Sequence, residues 1–207
     1  MTLPARLEQI RRRALAELEH APRERSWQVE VSSLIALEVS TGLTASLLLA
    51  PNNLQHRGPT WHHGLAIAVG VIALCAALSA IRPGGRVLRV GLLTLFIPLL
   101  AALLAAASGL GTRTGVVDEL RCATLLGVTA GFPAVATAVL MARFAPSRTR
   151  AVLGGAAAGA PGMVALHLHC PIGLEVHVAA GHLVPWVGVT LLVVWLRSRL
   201  TTQSYAP

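Results

Sequence analysis

The chain has 207 residues, 54% hydrophobic and only 13% charged, with a mean hydropathy of +0.65. That combination excludes an ordinary soluble domain and points to an all-α, polytopic membrane bundle. The net charge of +8 is carried by arginine alone; membrane topology accounts for it, so no direct nucleic-acid contact is expected.

Residues 3–25 read as a short amphipathic helix. Leu3, Leu7, Ile10, Ala14, Leu15 and Leu18 recur at helical spacing, surrounded by Arg11, Arg12, Arg13, Glu8, Glu17 and Glu19. Such a helix either lies on a membrane surface or docks its apolar stripe in the groove of a cytosolic protein. Residues 1–27 lack the apolar core and small-residue cleavage site of a signal peptide, so the first apolar helix is expected to stay in the mature chain.

Six apolar segments follow, each near the length that spans a bilayer. They fall at about Val29–Ala50, His63–Ile81, Val90–Leu110, Cys122–Ala142, Ala151–Leu168 and Val178–Leu196. The expected organisation is a cytoplasmic segment over 1–28, six transmembrane helices over 29–196 and a tail over 197–207. The first span carries Glu30, expected at the interface, and Glu38, two turns deeper, which must face the bundle interior. Cys75, inside the second span, is expected to pack as a small apolar residue.

Fourteen of the seventeen arginines fall before the first span, after the second, after the fourth or after the sixth. Only Arg57, Arg113 and Arg121 fall on the other side. The positive-inside rule then places both termini in the cytoplasm, in a bacterial inner membrane. Small residues dominate the fifth span, Gly154 to Gly162, and Gly127 and Gly131 form a small-xxx-small pair in the fourth; both allow close helix contact. Pro98, Pro133, Pro161 and Pro185 are expected to kink or loosen their helices.

With this topology seven of the eight histidines collect on the outer side, together with Cys122 and Cys170. Cys122 opens the fourth span, and Leu166-His-Leu-His-Cys170-Pro closes the fifth. Glu175-Val-His177 and His182 follow as the sixth begins. The two cysteines could form a disulfide, act as thiolate ligands beside imidazoles, or be an oxidisable thiol pair. As metal ligands the candidates are Cys122, His167, His169, Cys170, His177 and His182, suited to a zinc or copper ion. One spacing opposes this. On a regular helix His177 and His182 stand about 500° apart and share no face. No nucleophile elbow, phosphate-binding loop or His-Glu-x-x-His motif is present, so an enzyme is not expected.

Arg121-Cys122 at the start of the fourth span and Leu153-to-Gly162 running to His169-Cys170-Pro171 resemble the NrsF-type integral-membrane anti-sigma factors. The likeness covers residues 30–196 in layout and about 50 residues in motif. Ile172 to His182 departs from the aromatic-rich stretch common in that family, and the extra histidines look closer to the CarR-like branch of myxobacterial light responses. The resemblance implies that the N-terminal segment, through Leu7, Ile10, Arg11, Arg12, Ala14 and Leu18, holds an extracytoplasmic-function sigma factor at the membrane. It also implies that Cys122 and Cys170 sense a metal, redox or photo-oxidative signal. Two other functions fit the residues less well: a metal- or proton-coupled carrier using Glu38, and a metal-dependent membrane enzyme.

Overall fold

Where apolar sequence must keep every backbone polar group satisfied internally, the chain has little choice but helix. In the computed structural model, residues 8, 11–12, 27–48, 61–82, 86–105, 115–144, 146–170 and 174–200 are described, and the last six of these stretches are helical throughout most of their length. We number the helices α1 (Trp27–Leu48), α2 (Trp61–Ile81), α3 (Arg86–Ala105), α4 (Val116–Met141), α5 (Arg148–His169) and α6 (Glu175–Arg199). Four of the six, α2, α4, α5 and α6, are long and apolar enough to cross a membrane. In α3 the apolar part is shorter, Leu88–Leu103, and α1 carries Glu30 and Glu38. Of the N-terminal residues expected to dock a partner, Arg11 and Arg12 are helical, exposed and paired with Glu8 at 3.6 and 3.3 Å. Leu7, Ile10, Ala14 and Leu18 lie outside the described residues.

Successive helices run in opposite directions, which gives the bundle two distinct ends. At one end the start of α4, the end of α5 and the start of α6 meet around Cys122, Cys170 and His177. At the other, Arg143 pairs with Glu30, and Arg150 donates to the Arg82 carbonyl at 3.1 Å. We refer to these as the cysteine end and the arginine end.

The small residues of α5 make it the central helix. In its apolar window 78% of residues are buried, against 44%, 39% and 33% in α2, α4 and α6. Its glycines are divided between two neighbours. A Cβ on Gly155 would stand 2.7 Å from the Thr190 Cα, and one on Gly159 would stand 2.4 Å from Trp186 Cδ1, both on α6. A Cβ on Gly154 would meet Thr137 Cγ2 at 2.8 Å, and one on Gly162 the Thr129 hydroxyl at 2.5 Å, both on α4. Trp186 then closes the α5–α6 seam by donating its indole N–H to the Ala156 carbonyl at 2.8 Å. Between lipid-embedded helices such close approach, rather than water exclusion, supplies the attraction.

Several expectations change. Gly127 and Gly131 meet nothing within 4 Å; they sit beside Val128, Phe132 and Val135, which are exposed on the outer face of α4. Cys75 likewise faces outward instead of packing inside. The helix of Pro98, Pro133 and Pro161 continues through each proline. Glu38 does face inward, 4% exposed, and its Oε1 has no hydrogen-bond partner. Glu30, expected at the interface, is 5% exposed and bonded to Arg143.

The contrast between the two kinds of glycine is testable by thermal unfolding in detergent. Gly155→Val forces side-chain carbon into the α6 backbone and should destabilise by about 1–3 kcal/mol or more, as overpacking does. Gly127→Ala should leave the midpoint unchanged or raise it.

Candidate metal centre

Helix α4 begins six residues earlier than its first cysteine. Val116, not Cys122, opens the helix, with Asp118 and Glu119 in its first turn and the Asp118 carboxylate accepting from the Gly115 N–H at 3.4 Å. Acidic groups there complement the helix dipole. Cys122 therefore lies about 9 Å inside the helix at 1.5 Å per residue, not at its tip. Cys170 caps the other wall, at the end of α5, where its N–H reaches the Leu166 carbonyl.

The third wall is irregular. After one α turn over Glu175–His177, residues Val178–Leu183 form a π turn with i→i+5 bonding, and a regular helix resumes at Val184. Pro185 supplies a cause. It has no N–H to give the Gly181 carbonyl, and its ring would press on that carbonyl in a regular helix. Widening the turn relieves both, and π turns of this kind are found often at functional sites. The consequence corrects the expectation from spacing. Residues five apart now stack on one face, and the His177 and His182 rings meet edge to face with centroids 5.2 Å apart.

Four candidate ligands converge as a result. One ligand atom from each of Cys122, Cys170, His177 and His182 lies within 4.8 Å of all the others. The Sγ atoms are 3.9 Å apart, and His177 Nε2 stands 3.5 Å from Cys122 Sγ and 3.3 Å from Cys170 Sγ. Gly181 makes room: a Cβ there would stand 3.3 Å from Cys122 Cβ and 3.4 Å from His177 Cε1. Both histidines are fully buried, and Cys170 is 6% exposed. His177 Nδ1 and both ring nitrogens of His182 have no hydrogen-bond partner. The group has the geometry to hold a metal ion, which would engage one of the two His182 nitrogens; leaving such a nitrogen buried and unpaired costs about 1–3 kcal/mol.

Two of the six expected ligands are not in this set. His167 is buried on α5, three residues before Cys170, but stands outside the group. The side chain of His169 lies outside the described residues.

Residues that sequence reasoning passed over act at the arginine end. Arg197, placed in a tail by the expected boundaries, belongs to α6 and is 5% exposed. It donates to the Phe144 carbonyl at 2.6 Å and the Leu200 carbonyl at 3.0 Å. Counting arginines for topology gave no sign that Arg197, like Arg89, is buried.

Fold and site define the class: a polytopic helical membrane protein with a buried two-cysteine, two-histidine group at one end of the bundle. Within that class the chain belongs to the CarR family. The carotenogenesis protein CarR of Myxococcus xanthus is 30% identical to it over 215 residues, covering 98% of this chain and 91% of the relative. This supports the CarR-like branch of the resemblance and not the NrsF type. No protein-family model matches the chain, and no solved structure matches it.

Replacing Pro185 tests the role of the π turn without touching a ligand. Pro185→Ala should let a regular helix form, separate His177 from His182, and weaken metal affinity about 10–100-fold, as loss of a ligand-orienting group does. Competition with a chromophoric chelator measures this; unchanged affinity would remove the proline from the account.

Proposed function

We propose that the protein is a membrane anti-sigma factor that holds an extracytoplasmic-function sigma factor at the inner membrane and releases it when the Cys122, Cys170, His177 and His182 group changes state. The observation that carries the reading is this group, closed by three helices, in a chain related to CarR along nearly its whole length. The sigma factor is docked by the N-terminal segment through Leu7, Ile10, Ala14 and Leu18, with Arg11 and Arg12 meeting acidic groups on the partner. Docking there hides the surface the sigma factor needs for RNA polymerase.

The arginine end faces the cytoplasm in this reading. Arg82, Arg143, Arg148 and Arg199 are exposed there, as the positive-inside rule asks. All six helices then cross the bilayer and both termini are cytoplasmic. The cysteine end faces the periplasmic side, where oxidants and metals arrive first.

The ion that Cys122, Cys170, His177 and His182 would hold is zinc. With Zn–S about 2.3 Å and Zn–N about 2.0–2.1 Å, a tetrahedral site sets its ligand atoms about 3.8 Å (S to S) and about 3.6 Å (S to N) apart. Among Cys122, Cys170 and His177 the protein has 3.9 Å for the first and 3.5 and 3.3 Å for the second, with His182 within 4.8 Å of the other three. Two thiolates also balance a divalent ion to zero net charge, whereas monovalent copper would leave a buried negative charge and divalent copper prefers a tetragonal site. Four protein ligands leave no open position, which favours a structural or sensing site over a catalytic one. A two-electron oxidant such as a peroxide would join the two Sγ atoms as a disulfide, take up their electrons and expel the zinc. A metal-free disulfide cannot hold both histidines, so the cysteine end loosens.

A cation carrier is the second reading, favoured by Glu38, which is buried with an unpaired oxygen. Uptake into vesicles, lost in Glu38→Gln, would establish it.

Co-purification of the tagged full chain and of a form lacking residues 1–25, with partners read by mass spectrometry, tests the main reading. A sigma factor should accompany only the full chain, while zinc content stays equal in both. Retention of the sigma factor by the shortened chain would place docking elsewhere.

A further inference from the structure

Helix α6 has residues in both polar clusters of the bundle. His177 and His182 stand at its cysteine end and Arg197 at its arginine end, about 30 Å and about 22 Å away along a helix rising 1.5 Å per residue. At the cysteine end a metal would tie α6 to α4 and α5. At the arginine end Arg197 ties it to the turn between α4 and α5.

That turn is gripped from three sides. Arg197 donates to the Phe144 carbonyl from α6. The Arg150 guanidinium, from the first turn of α5, lies 5.2 Å over the Phe144 ring. Arg143, the next residue back, pairs with Glu30 in the first turn of α1. Surface arginines at a membrane interface extend toward water, but Arg197 and Glu30 are each only 5% exposed. Arg197 and Glu30, that far from water, hold their position only while bonded, whereas Arg143, the partner of Glu30, has a side chain that is 44% exposed. Glu30 stands four residues from position 26, where the N-terminal segment meets α1.

We propose that α6 and the turn at 142–147 form the link between the two ends: the state of the metal group sets the position of Arg197, and Arg197, through Phe144, Arg143 and Glu30, sets the order of the first turn of α1. The link rests on the metal reading of the cysteine end. It does not require the identity of the docked partner, because its output is read on the chain itself. Tightening or loosening α6 at one end changes how firmly the root of the N-terminal segment is held at the other. Arg197 to the Phe144 carbonyl and Arg143 to Glu30 are the two bonded steps, joined through the backbone of residues 143 and 144; demonstrated coupling between the two ends is the warrant such a path needs.

Amide hydrogen exchange of the full-length protein in detergent tests it, with zinc bound and after removal by a chelator, alongside metal analysis of each sample. Removing zinc should speed exchange in peptides over 27–34 and 142–147 by at least about fivefold, the low end of allosteric coupling. Arg197→Gln should keep one zinc per chain yet exchange fast in both states, with no response to the metal. Glu30→Gln, which keeps the shape of the side chain, should retain the response at 142–147 and lose it at 27–34. Zinc bound with no change in either peptide of the unaltered protein overturns the link and leaves the metal reading standing. A response that persists at 27–34 in both variants also overturns it. Failure to bind any zinc removes the metal reading and the link together.

Discussion

The close approach of α5 to its neighbours is the constraint on which the rest depends. Lipid offers these helices no gain from leaving water, so the bundle is held by contact at short range. Gly155 against the Thr190 backbone and Gly159 under the Trp186 ring set the distance between α5 and α6. Gly154 and Gly162 set the distance between α5 and α4. With those two separations fixed, Cys122, Cys170 and the two histidines can reach one another across three helices.

The site combines that packing with a local fault in α6. A regular helix would have carried His182 away from His177. Pro185 prevents the regular helix, and the widened turn brings both imidazoles to the same side. The residues that give the metal site its geometry are thus mostly not ligands. Pro185 shapes the turn, Gly181 admits Cys122, and Asp118 caps a helix that extends well past the cysteine. A metal ion bound at His177 Nε2 would engage one nitrogen of His182 and leave His177 Nδ1 still buried without a partner.

Much of this was legible in the sequence. Hydropathy located all six helices, because apolar runs bounded by arginine carry a strong, one-dimensional signal. The small-residue run of α5 announced a crowded helix, and the histidines and cysteines that turned out to be neighbours stood out by type. What sequence could not resolve was direction. Gly127 and Gly131 have the same spacing as the glycines of α5 but point away from every described neighbour. The Arg197 guanidinium, like the Glu30 carboxylate, reads as interfacial until the fold places it inside. The π turn was hidden for a different reason. It depends on a proline acting on a carbonyl four residues upstream, which no periodicity records, although Gly181 and Pro185 together were the available sign.

Closure of the site by three packed helices has a consequence for timing. A metal held there by four protein ligands would exchange only when the helices part. Its occupancy would then follow the rate of that opening, and brief excursions in the surrounding metal concentration would pass without effect. The memory of such a site would be set by how tightly Gly155 and Gly162 let α5 sit against α6 and α4.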